Sequence, residues 1–166
     1  MGVEHYWRRT STAAIRDLGP DGLFNLVPEF FDDRFAVERR EGLVVVAEST
    51  GDLLRELLRL GATDHASTAA VTLFRRPPPN WDDDWMVGSH APGTVSQIAA
   101  FFAGAPLDHW LEQHRVTLAA KVEDIGYGGW AETSWAPQLL RDAQDVAALF
   151  GAAAASDEAV IIKISA

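Results

Sequence analysis

Chemistry in this chain would have to come from five histidines, a run of three aspartates, a glycine-rich turn and six tryptophans. The histidines are His5, His65, His90, His109 and His114. Two zinc ligands on one helix face need a spacing of three or four residues. His109 and His114 are five apart, about 140° around a helix, so they diverge. No His-Glu-x-x-His motif occurs. Asp82-Asp83-Asp84 would attract a cation, but consecutive acids on a loop do not converge as the alternating ligands of a calcium loop do. They read as a solvated acidic loop, and no metal is expected.

Other reactive patterns fare no better. Gly126-Tyr127-Gly128-Gly129 lacks the Lys-Ser/Thr that completes a phosphate loop, and reads as a turn. Ser89 and His90 are adjacent, which does not bring a hydroxyl and an imidazole together productively, and no Gly-x-Ser-x-Gly elbow is present. Cysteine is absent, so thiolate nucleophiles, disulfides and cysteine-ligated zinc are excluded. No catalytic residue is assigned and no cofactor is expected.

The tryptophans are Trp7, Trp81, Trp85, Trp110, Trp130 and Trp135. Tryptophan anchors binding interfaces because it buries a large area at low entropic cost. Trp110 lies in a helical pattern and reads as core. Trp81 and Trp85 flank the three aspartates directly after Pro77-Pro78-Pro79, a stretch that cannot be regular structure. Trp130 and Trp135 lie on either side of the turn before the last helix. The candidate partner- or ligand-binding residues are therefore Trp81, Asp82, Asp83, Asp84 and Trp85, with His90, Tyr127 and Trp130 as a second group.

These residues must be positioned by a chain of 166 residues, 48% hydrophobic, which fits one domain over 1–166. A chain of this size buries roughly 70% of its unfolded surface and needs no metal or disulfide to fold. Fourteen Lys and Arg against 24 Asp and Glu leave a net charge of −10. That argues against nucleic acid, whose backbone needs a basic footprint, and against anionic membrane surfaces. It serves solubility, or a face made for a basic partner. The first residues lack the basic start and apolar stretch of a signal peptide, and Tyr6 stands where a myristoylation motif needs Ser or Thr. No apolar run approaches 18 residues. A cytoplasmic location is expected.

Periodicity predicts a strand over Val3–Arg8, then a helix capped by Ser11 and running to Leu18. Leu43–Ala47 reads as a buried strand, with a helical reading open. Asp52–Leu60 is a leucine-rich helix stopped by Gly61. Ser67–Phe74 reads as a strand. Thr94 caps a helix through Phe102, and Asp108 caps another to about Lys121. Pro137 opens the last helix, and Ala159–Ile164 closes the chain as a strand. Strands at both ends with helices between them predict an α+β fold, a small mixed sheet packed against several helices.

Three short segments carry a family resemblance. Met1-Gly2-Val3-Glu4-His5-Tyr6-Trp7 is followed by the Ser11 helix start. Gly88 and Pro92 precede Val95-Ser96-Gln97-Ile98-Ala99, and Ile125-Gly126-Tyr127-Gly128-Gly129-Trp130 precedes the last helix and strand. Over residues 1–18 and 87–166 the chain resembles the YfbM-like family, a bacterial domain of unknown function. The resemblance implies a small α+β domain acting as a binding or accessory module. In the middle, the Asp52–Gly61 helix lacks the tryptophan and histidine of the family's pattern, so no site is carried over from it. Two functions are expected. One is a protein-binding accessory domain for a basic partner, in one version an immunity-type inhibitor whose Asp82–Asp84 imitate a phosphate backbone. The alternative is a small-molecule-binding protein or cryptic hydrolase with a site near Tyr127, Trp130 and His90.

Overall fold

The computed structural model describes residues 3–62, 86–125 and 134–165. Four strands form one sheet: β1 (Glu4–Thr10), β2 (Val44–Glu48), β3 (Val87–His90) and β4 (Ala159–Ser165). Their order is β2-β1-β4-β3. The sheet was expected to be mixed, but every described pairing is antiparallel. The α+β class holds.

The central strands explain their own sequences. In β1, His5, Tyr6 and Trp7 are all buried, and in β4 so are Ala159 through Lys163, because helices cover both faces of the sheet. Alternate residues then serve different layers. Trp7, Val160 and Ile162 join the larger apolar cluster on one face. Tyr6 and Ile161 join the smaller cluster on the other.

The larger cluster is built by five helices: α4 (Gly51–Gly61), α5 (Pro92–Gly104), α6 (Leu107–Gln113), α7 (Arg115–Asp124) and α8 (Trp135–Ala155). In α4, Leu53, Leu54, Leu57 and Leu58 fall on one stripe and all are buried. In α8, Leu139, Ala143, Val146 and Phe150 do the same along 21 residues. The smaller cluster lies beneath α1 (Thr12–Ile15), α2 (Pro20–Leu26) and α3 (Phe35–Arg40), with Leu23, Val27 and Phe35 facing Val44, Val46 and Val87.

Several boundaries moved, each for a local reason. Ser11 does cap α1, accepting from the Ala14 N–H, but the helix stops at Ile15. Helix α5 starts at Pro92, so Thr94 lies inside its first turn. The helix expected from Asp108 to Lys121 breaks at His114, whose φ of −107° and ψ of 14° are not helical. Helix α8 begins at Trp135, two residues before Pro137. Strand β3 was not foreseen, and the expected Ser67–Phe74 strand lies outside the described residues.

One buried cation ties the second layer down. Lys163 on β4 is 3% exposed. Its Nζ lies 2.7 Å from Glu29 Oε1, donates to the Phe24 and Val27 carbonyls at 3.3 Å each, and sits 3.6 Å above the Phe24 ring. Breaking a buried ion pair on one side costs more than the pair contributes net. Glu29 keeps partial contact with water, which limits the penalty. Lys163→Met keeps the aliphatic stem and removes the charge, and should cost about 2 kcal/mol in urea unfolding. A variant as stable as the parent would show that the ammonium contributes nothing to holding α2.

Candidate functional site

Of the eight residues singled out above, Trp81, Asp82, Asp83, Asp84, Trp85, Tyr127 and Trp130 lie outside the described residues. His90 is the exception. It pairs with Val160 in the sheet, is 1% exposed, and has its ring 6.3 Å from that of Phe150. A ligand would have to displace core side chains to reach it. Trp7 and Trp135 are also core, and Trp110 is half-buried with its ring 6.0 Å from Phe101.

The interior holds further polar groups. Thr50 donates to Asp142, and Gln138 Nε2 donates to the other carboxylate oxygen at 2.7 Å. Burial pushes the Asp142 carboxyl up, against the two hydrogen bonds that favour its charged form. The trio joins α8 to the start of α4. Burial, reinforced by the hydrogen bond it donates to Glu4, likewise raises the Tyr6 hydroxyl. Among the described residues no three His, Asp or Glu side chains come together as metal ligands. No helix among them is long and apolar enough to cross a membrane.

Two outward-facing features remain. The first is the turn between α2 and α3. Phe30 points inward, its ring 4.8 Å from Phe35 and 5.9 Å from Tyr6. Its neighbour Phe31 is 98% exposed. The turn is pinned on both sides. Asp32 N–H donates to the Glu29 carbonyl at 2.9 Å, and Phe35 N–H to the Asp32 carbonyl at 2.9 Å. The Asp32 carboxylate accepts from the Arg34 N–H at 2.9 Å and from its guanidinium Nη2 at 2.7 Å. That guanidinium holds the Asp32 carboxyl below the usual carboxylate range. From Asp17 to Asp33 the chain carries Asp17, Asp21, Glu29, Asp32 and Asp33 and no lysine or arginine. The sequence signal was this acid-only run enclosing two adjacent phenylalanines, of which a packed turn can bury only one.

The second feature is a groove of about 360 Å³ between α8 and the edge of β2. Val45 and Leu149 line it, with Arg9, Arg39, Glu41 and Asp145 supplying charge. Gly42, in the left-handed region at φ 69°, turns the chain from α3 toward β2 at one end of it. No sequence motif announced this groove, because its walls come from four separate segments.

No family model, curated protein or solved structure matches the chain.

Proposed function

We propose that the chain is a binding domain for a basic protein partner. The observation that supports the reading is Phe31, fully presented on a pinned turn within an acid-only stretch. A rigid aromatic surrounded by charge has the make-up of an interface anchor: the ring supplies buried area, and the rim supplies steering and selectivity. In its finer version the domain is a cytoplasmic, bacterial, immunity-type inhibitor that neutralises a basic partner, and a divergent member of the YfbM-like family. The absence of cysteine, the net charge of −10 and the short sequence motifs favour that version.

The experiment is affinity capture from the host at low and high salt, with the parent and two variants. Phe31→Ala should weaken a captured partner by about 2 kcal/mol, the scale of an interface anchor. Asp21→Asn with Asp33→Asn, both exposed, should weaken it mainly at low salt. A partner indifferent to salt and to both variants would refute the reading.

A further inference from the structure

We propose that the groove between α8 and β2 binds a short unblocked peptide of about three residues, its carboxylate at Arg9 and Arg39 and its ammonium at Asp145. This site goes beyond the partner-binding reading and shares no residue with the Phe31 turn.

The groove has a direction. Arg9 N–H donates to the Leu43 carbonyl at 3.0 Å, which sets Arg9 beside the turn that carries Arg39 and Gly42. The Arg9 guanidinium is 3.3 Å from Glu158, in the connection that follows α8. Ala152, near the end of α8, therefore marks the arginine end of the groove. Asp145 lies seven residues earlier, roughly 10 Å back along the helix axis. Three extended residues span about that distance, at no more than about 3.6 Å each.

Each end offers a charged group. The Arg9 side chain lines the groove and is 20% exposed, while its Nε is enclosed and has no hydrogen-bond partner. A carboxylate in the fork geometry that arginine prefers would draw that N–H into the groove. Arg39 is exposed; its guanidinium lies 5.9 Å from the Phe35 ring, and among the described residues it makes no ion pair. Asp145 is exposed at the far end and makes none either among those residues. Glu41 beside Arg39 and Glu158 beside Arg9 set the selectivity. They offset both guanidiniums in formal charge, so a carboxylate there is held by guanidinium hydrogen bonds rather than by net charge, and a dianion such as phosphate is disfavoured. Between the ends the wall is Val45, Ala148 and Leu149, where alanine leaves room for small apolar side chains. The volume stands at the lower end of the range for small-molecule sites.

Trialanine is the probe. For a ligand of its size the dissociation constant should be on the order of 0.1–1 mM, readable by NMR titration. N-acetyl-trialanine and trialanine amide should each bind at least tenfold more weakly. Arg39→Ala should weaken trialanine about tenfold, and Asp145→Ala should do so while leaving the acetylated peptide unchanged. Both positions are exposed, so the variants should keep the parent's circular dichroism. No binding of trialanine, equal binding of the blocked forms, or tighter binding of inorganic phosphate would overturn the proposal. Phe31→Ala should leave trialanine binding intact, which separates this site from the partner surface.

Discussion

Gly51→Ala should destabilise the protein by about 2 kcal/mol, although alanine is the better helix former. Gly51 is the first residue of α4, and a Cβ built there would lie 2.0 Å from His5 Nδ1 and 2.4 Å from its Cγ. Those atoms belong to the body of a ring that is 2% exposed and stacked on Trp7 at 6.1 Å. To make room, α4 must lift from β1 or the ring must leave its rotamer against the packing that encloses it. Overpacking of this kind costs about 1–3 kcal/mol and sometimes more, against a helix-propensity gain of about 1 kcal/mol or less at a helix end. The steric effect wins. Gly151→Ala, in the interior of α8, is the matched control. Nothing lies within 4 Å of its would-be Cβ, so the same substitution should stabilise by about 0.5–1 kcal/mol. Urea unfolding of both variants reads the contrast. Equal shifts, or a stable Gly51→Ala protein, would show that α4 does not seat against His5 as described.

That contact illustrates what the sequence could and could not disclose. The β-branched run Val160–Ile162 announced a buried strand, because a sheet with both faces covered accepts unbroken apolar stretches, while Val44–Val46 left a helix open until its pairing with β1 decided for the strand. The leucine stripe of α4 and the long apolar face of α8 were equally plain. Strand β3 was not, since Val87-Gly88-Ser89-His90 has no apolar alternation and becomes a strand only by pairing with β4. The break at His114 carries no proline or glycine to mark it. Function was harder to read for the same reason: it depends on contacts distant in sequence. Thr50 and Asp142 are 92 residues apart, and nothing local says that they bond in the core. Nor does composition say which histidines are interior; His5 and His90 both are, although His90 reads as a candidate for ligand binding. Phe31 is the opposite case: the adjacent phenylalanines say that one of the two stands in solvent, and only the structure says which.

The burial of His5 also fixes how the protein should respond to acid. Burial brings its pKa from the ordinary 6.5 down to about 4; nearby Asp52 opposes the shift and Arg55 adds to it. The unfolded chain then takes up a proton in a range where the folded one does not. Above about pH 6.5 the imidazole is neutral in both states and costs nothing. Below that, stability should fall, and the loss should level off below about pH 4 at roughly 3 kcal/mol. Asp142 acts in the opposite direction. Its raised pKa means that the folded state protonates it first, so acid relieves a strain that neutral pH imposes. The observed slope is the difference between the two, and two variants separate them. His5→Gln, which does not titrate, should flatten the loss between pH 6.5 and 4. Asp142→Asn should steepen it, because the compensating group is gone. NMR gives an independent reading: the His5 ring resonances should hold their neutral positions until the pH approaches 4. An imidazole that titrates near 6.5, or an acid slope unchanged in His5→Gln, would mean that His5 is reached by water and that the seat beneath α4 is looser than its geometry implies.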